Sequence, residues 1–391
     1  MRHLINSLAL AMPLGMAAQP FAIGTTSLTF VDDGRGGRSI PCEVAYPAEV
    51  AGVDAPLAPG MFPVVVLGHG FVLSVGAYAN HREAMVPQGY VLVMPTTEGG
   101  LLPDHEEFGL DLAYCALAMQ QQGADVNSVF LGHIAPKAAL MGHSMGGGAA
   151  LLGASGPGAI NAVVCFAPAE TNPSAIAAAT AVNAPLLILA GSQDCVTPPD
   201  ENQLPMYGAA PAGCKAYVEI TGGGHCNFAN SNFNCSFGEL TCGGGGSLGR
   251  EGQQAITHLY TLHWLDRFLK DDVSSGDALQ ALLDAGEGVT AQWVLDACPA
   301  AISTRMPANN GASDEVRIVP IPMCERAELR ISGELGGTRF RLVDPVGRLV
   351  RDERVGGPIH PIERAGMSAG TYLWILDREG MPAQRGKLVV D

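Results

Sequence analysis

The sequence predicts an α/β protein: a doubly wound, mostly parallel sheet followed by a small β-sandwich. Three observations predict it. From Pro63 onward, short apolar runs alternate with stretches of helical periodicity, the pattern of parallel strands joined by helical crossovers. The glycine-punctuated stretch GHSMGGG (142–148) stands between one such run and one such helical stretch. Beyond Val316 the texture changes to short segments of period-2 alternation separated by turns. A chain of 391 residues, 47% hydrophobic and 15% charged, is long enough and apolar enough to bury one large core and one small one.

The first segment in the chain is a leader. Arg2 and His3 precede an apolar run from Leu4 to Met16, followed by the small residues Ala17 and Ala18, so residues 1–18 are expected to be a secretory signal peptide. The run is too short to span a membrane and is interrupted by Pro13. Strands are expected at 63–68, 90–94, 138–142, 162–166, 185–190 and 216–220, with helices near 78–86, 110–121 and 146–153. A last helix is better marked, because Ile256, Leu259, Tyr260, Leu262, Leu265, Phe268 and Leu269 recur at helical spacing. These elements give a first domain over 25–298. The Pro, Asn, Gly and Ser content of 299–315 reads as a linker, and 316–391 as the sandwich.

A formal charge of −16, from 38 acidic against 22 basic residues, argues against nucleic acid and anionic membrane surfaces as partners. Ten cysteines behind a leader imply an oxidising compartment and disulfides, whose pairing the sequence leaves open. Cys115 and Cys165 lie inside apolar runs and are expected as buried thiols. No ligand pair has metal-site spacing, and His105, Glu106 and Glu107 read as a solvated loop, so no metal or other cofactor is expected.

The chemistry centres on GHSMG. A G-x-S-x-G after a strand and before a helix is the nucleophile elbow, in which glycines permit a tight turn that lifts the serine above the sheet edge. Ser144 is therefore the candidate nucleophile. Its neighbour His143 is excluded as base, because successive side chains leaving a strand point to opposite faces. In this arrangement the acid and then the histidine follow the serine in the chain. Asp194, in LLILAGSQDCVTPP, and His225, in AYVEITGGGHCNF, each lie just past the end of an expected strand. The rivals are Asp200 and Glu201 for the acid, and His258 and His263 for the base. Oxyanion donors are expected from the backbone of Met145 and, in LGHGFVL, of Phe71. For His69, in that loop, a structural hydrogen bond is as good a reading as a functional one.

These stretches resemble the dienelactone-hydrolase-like branch of the α/β-hydrolases, and within it the bacterial cutinases and poly(ethylene terephthalate) hydrolases. GHGF, GHSMGGG, GSQDCVTPP, EITGGGHCNFANS and WLDRFLKDD are similar to that group's oxyanion loop, elbow, acid loop, histidine loop and closing helix, over roughly residues 25–272. The resemblance implies the α/β-hydrolase fold, a triad of Ser144, Asp194 and His225, and Phe71 and Met145 as the oxyanion hole. It places His143, Glu170 and Asn172 beside the substrate cleft. Polyester-degrading members carry a tryptophan where this chain reads APAETNPSA. The group often ties the acid and histidine loops with a disulfide, here implying a bridge from Cys195 to Cys226. The C-terminal segment resembles the sorting domain of type IX secretion substrates, through RLVDPVGRLV, MSAGTYLWIL and GKLVV.

Together these readings predict a secreted or cell-surface serine carboxylesterase, exported through the periplasm, monomeric and free of cofactors. Its partners would be a small or polymeric ester and, through the C-terminal domain, the type IX machinery. The alternatives are a catalytically silent surface binding protein on a hydrolase scaffold and a lipid or phospholipid acyl hydrolase.

Overall fold

The structure is a computed structural model that describes residues 20–211, 213–299, 316–319, 323–331, 337–344, 349–377 and 384–390. The expected signal peptide, and the expected linker apart from Pro299, lie outside the described residues. The chain divides into two compact units, 1–302 and 303–391.

In chain order the first unit runs β1 (Ala22–Asp32), β2 (Arg38–Ala48), β3 (Gly52–Val53), β4 (Phe62–Gly68), α1 (Ala79–Met85), β5 (Val91–Pro95), α2 (His105–Gln122), β6 (Ile134–His143) and α3 (Met145–Ser155). It continues with β7 (Ala162–Phe166), α4 (Ala175–Ala179), β8 (Leu186–Gly191), α5 (Gln203–Ala209), β9 (Lys215–Ile220), α6 (Phe233–Cys242), α7 (Arg250–Leu269), α8 (Val273–Ala285) and β10 (Val289–Val294). The strands form one sheet in the order β10-β9-β8-β7-β6-β4-β5-β2-β1-β3. Its centre, from β5 to β9, is parallel. Antiparallel strands flank it, β2 beside β5 and β10 beside β9.

Parallel strands covered by helices on both faces are apolar on both faces, and every residue of β4, β7 and β8 is buried. Alternation along β4 splits its side chains between two cores. Val64 and Val66 pack with Phe108 and Leu112 of α2 and Leu151 of α3, whereas Val65 and Leu67 join Trp264 and Leu265 of α7. The mostly parallel sheet wrapped by helices is the fold class read from the sequence.

Elements at both ends of this unit were not foreseen, nor were the short helices α4, α5 and α6. β1 to β3 precede the first expected strand, and β2 contains Pro41 and Pro47, residues that normally argue against a strand. α8 and β10 follow the expected last helix; β10 is an edge strand with a single buried residue, so it lacks the apolar run that marked the others.

The second unit contains β11 (Val316–Val319), β12 (Arg326–Ile331), β13 (Arg339–Val343), β14 (Leu349–Arg354), β15 (Ile359–Glu363), β16 (Gly370–Asp377) and β17 (Gln384–Val390). They form two antiparallel sheets, β11-β12-β15 and β14-β13-β16-β17. Leu329, Phe340, Leu342, Trp374, Leu376 and Leu388 fill its core, the inward half of a period-2 pattern, as in a β-sandwich.

Candidate active site

β6 ends at His143 and α3 begins at Met145, leaving Ser144 between them at φ 56°, ψ −121°. A non-glycine residue at positive φ is strained and persists only where its surroundings fix it. Here the backbone does so. Ser144 N–H donates to the Phe166 carbonyl (2.9 Å), and the Ser144 carbonyl accepts from the N–H groups of Gly147 (2.9 Å), Gly148 (3.1 Å) and Ala169 (3.0 Å). The glycines are a steric requirement. A Cβ on Gly142 would lie 2.1 Å from the Gly146 carbonyl oxygen, and one on Gly146 would lie 2.2 Å from that of Gly68. The strand end, the turn and the oxyanion loop are thus in backbone contact, with the Ser144 side chain at a helix N-terminus.

The loops after β8 and β9 bring Asp194 and His225 together at the same sheet edge, 2.7 Å apart between Oδ2 and Nδ1, with both residues buried. Asp194 Oδ1 accepts from the N–H groups of Val196 (2.9 Å) and Thr197 (2.8 Å), and Thr197 Oγ1 donates to Oδ2 (3.0 Å). The carboxylate is therefore held as an acceptor in one orientation. On the histidine side, Gln253 of α7 clamps the preceding residue. Its Oε1 accepts from Gly224 N–H (2.8 Å) and its Nε2 donates to the Gly224 carbonyl (2.7 Å). Glu239 of α6 accepts from Cys226 N–H (2.9 Å). The GGGG at 243–246 has a role here: a Cβ on Gly246 would lie 2.3 Å from the Gly222 carbonyl oxygen, so only glycine lets this stretch back the histidine loop.

The oxyanion loop follows β4. The N–H groups of Phe71 and Met145 donate to no protein acceptor among the described residues. His69 lies 2.9 Å from the carbonyl oxygens of both Gly70 and Thr97, which makes it a residue that shapes the loop.

His143, expected beside the cleft, is instead wholly buried. Its Nε2 donates to the His225 carbonyl (3.0 Å), and its Nδ1 accepts from the Tyr78 hydroxyl (3.0 Å), which itself accepts from Gly70 N–H (2.7 Å). Burial holds its pKa well below the ordinary histidine value, so the ring stays neutral and serves both bonds. The residue before the serine thereby ties the oxyanion loop to the histidine loop and offers no surface to substrate. Glu170 and Asn172 are exposed on the loop after β7. Glu170 Oε2 accepts from Ile176 N–H at the start of α4 (3.0 Å), and Asn172 N–H donates to His105 Nδ1 (3.2 Å).

Of the rivals, Asp200 and Glu201 are exposed, and the His258 ring packs against that of His81, 5.1 Å between centroids; His263 lies half-buried further along α7. The Cys195–Cys226 bridge is not formed. Cys195 pairs with Cys242 and Cys226 with Cys235, so each loop is tied by its disulfide to α6; Cys214 pairs with Cys298. Cys115 and Cys165 are buried thiols, as expected. Among the described residues no cluster of three or more His, Cys, Asp or Glu could hold a metal ion.

Sequence reasoning missed Gln253, Glu239, Thr197 and Tyr78. Gln253 left a signal, a polar residue three positions before Ile256 and four before the buried Thr257, on the inward face of α7, where an unpaired amide would be costly.

A serine at positive φ in a strand-to-helix turn, with a buried Asp–His pair on loops at the ends of parallel strands of the same sheet, is the arrangement of the α/β-hydrolase fold. Residues 12–279 match the PETase family, described as PET hydrolase-like, and the chain belongs to that family. Among its relatives are cutinase est2 of Thermobifida alba, 25% identical over 65% of this chain and 71% of that protein. Cutinase 2 of Thermobifida cellulosilytica is 26% identical over 65% and 81%. Cutinase cut1 of Thermobifida fusca is 26% identical over 65% and 67%.

Proposed function

We propose that this protein is a secreted serine hydrolase of carboxylic esters, including polyesters, working through an acyl-enzyme. The observation that carries the reading is the 2.7 Å bond from His225 Nδ1 to Asp194 Oδ2. It keeps the proton on Nδ1 and leaves Nε2 as an acceptor, the state a general base needs. Ser144 Oγ attacks the ester carbonyl while His225 Nε2 takes its proton, and Asp194 stabilises the imidazolium. The developing oxyanion is received by the N–H groups of Met145 and Phe71. The imidazolium then protonates the departing alcohol, and water activated by the same nitrogen releases the acid.

Membership of the PET hydrolase-like family and relatives named cutinases support a polyester as substrate. Three disulfides and the leader-like N-terminus support export. The C-terminal resemblance supports the type IX route, with residues 316–391 serving as the sorting domain.

The test is a series of nitrophenyl esters from acetate to palmitate beside a polyester film. Turnover on the short esters and the film is expected, with Ser144→Ala lowering kcat by about 10⁶. Ordinary turnover in a folded Ser144→Ala variant sinks the reading. Removing residues 316–391 is expected to leave turnover of soluble esters intact and to abolish export in the native host.

A further inference from the structure

We propose that the outer face of α6 is a docking surface for the insoluble polyester, seated beside the reaction centre. This inference rests on the ester-hydrolase reading. α6 is amphipathic in an unusual sense. Cys235, Glu239 and Cys242 lie on one face and fasten it to the body through two disulfides and the Glu239 carboxylate. At 100° per residue, Phe233, Phe237 and Leu240 fall on the opposite face, and they are 81%, 58% and 74% exposed. The two phenylalanine rings stack with each other, 6.2 Å between centroids and 21° between planes. An exposed stripe of large apolar groups on a helix so firmly held marks a binding surface rather than a fraying end.

Its attachments say where the surface lies. Cys242 joins α6 to the residue after Asp194, Cys235 joins it to the residue after His225, and Asn234 Nδ2 donates to the Val72 carbonyl (2.8 Å), one residue beyond Phe71. The helix is thus anchored to the acid, histidine and oxyanion loops together. Phe71 and Val196, on two of those loops, are themselves 47% and 39% exposed.

The chemistry of the face selects the occupant. α6 contains no lysine or arginine, and its one charged residue, Glu239, is buried on the inner side. A helix that lies on a membrane carries basic residues for the headgroups; this one exposes the apolar Phe233, Phe237 and Leu240 flanked by the uncharged Asn234, Ser236 and Thr241, which suit an uncharged polymer of ester and apolar segments.

The experiment combines Phe233→Ser, Phe237→Ser and Leu240→Ser in the full chain and measures two quantities. Adsorption to amorphous poly(ethylene terephthalate) particles, followed by depletion in a Ser144→Ala background, is expected to weaken about tenfold or more. The kcat/KM for nitrophenyl acetate, with Ser144 intact, is expected to stay within about twofold, since the acetyl group is too small to reach α6. The conservative set Phe233→Leu, Phe237→Leu and Leu240→Met, which keeps the face apolar, is expected to retain adsorption. Should the triple serine variant not fold, the three single serine variants carry the same comparison. Unchanged adsorption overturns the proposal, as does absence of adsorption by the Ser144→Ala parent. Loss of a dimer or of binding to phosphatidylcholine vesicles, with polymer adsorption unaffected, assigns the face to a second copy or a membrane and equally overturns it. Lack of turnover of nitrophenyl acetate by the unaltered chain overturns the esterase reading instead, a result the adsorption measurement does not share.

Discussion

The elbow and the histidine loop are joined by the bond from His143 Nε2 to the His225 carbonyl, yet they are held by different forces. At the elbow almost nothing but backbone is involved: carbonyls and N–H groups of Phe166, Gly147, Gly148 and Ala169 enclose Ser144, and glycines let three segments touch. The histidine loop is held by side chains brought from afar, Gln253 from α7, Glu239 from α6, and His143 and His81 from beneath. The difference teaches what each tolerates. A backbone-packed turn fails all at once, because there is no rotamer to relax, whereas a side-chain scaffold loses its strength bond by bond.

The elbow should break most completely. Gly146→Ala places a Cβ against the Gly68 backbone at 2.2 Å, and neither backbone can withdraw without disturbing the sheet. The expected outcome is loss of more than about 3 kcal/mol or of soluble protein altogether, read by thermal unfolding. A variant as stable as the parent would show that the turn is not sterically closed.

Next comes the bond that orients the ring of the histidine loop. Asp194→Asn preserves shape but donates where the carboxylate accepted, favouring the wrong tautomer of His225. A fall in kcat of about 10⁴ with little change in stability is expected, measured on nitrophenyl butyrate with a parallel melt.

Gln253→Ala tests the side-chain scaffold. It strips both bonds from a buried Gly224, costing about 1–3 kcal/mol, and lets the residue before His225 shift. Chemical denaturation should show the loss, and kcat should fall by much less than in Asp194→Asn. A null effect on both would remove Gln253 from the account.

The last effect is graded with pH, and it comes from two buried histidines, His81 of α1 and His143 of β6, that hold the histidine loop. Burial pushes His81 down to about 3, and its Nε2 donates to the Phe228 carbonyl; His143 is likewise depressed by burial and holds the His225 carbonyl. Both are neutral in the folded chain and take up a proton on unfolding at any pH below the ordinary value of about 6.5. Their contribution is present in full above that value and is lost as pH falls toward 3. The slope is about 1.4 kcal/mol per pH unit for each histidine. Urea melts at pH 7, 6 and 5 should show it, and His81→Phe should make it shallower.

How much was legible follows the same division. The parallel core could be read because buried strands such as β7 and β8 are uninterrupted apolar runs, and the elbow could be read because its constraint is written in adjacent residues, Gly142 to Gly146. Asp194 and His225 could be proposed because each ends a strong strand. What holds them could not, since Gln253 lies 28 positions beyond the histidine it supports and Glu239 14 positions beyond, on helices whose packing no local pattern fixes. The implied Cys195–Cys226 bridge is not formed for a related reason: adjacency to the acid and the histidine says nothing of the two cysteines that α6 offers as partners. The resemblance puts His143 beside the cleft, whereas its ring is consumed by Tyr78 and the His225 carbonyl.

The central claim is that Ser144 is a nucleophile made reactive by the Asp194–His225 pair. Labelling with a fluorophosphonate, followed by peptide mapping of the intact chain, addresses it directly, because the probe reacts only where a serine is activated and an oxyanion can be received. The account predicts a single adduct, on Ser144, with labelling much slowed in Asp194→Asn. No adduct on a folded chain, or an adduct on another residue, would contradict it.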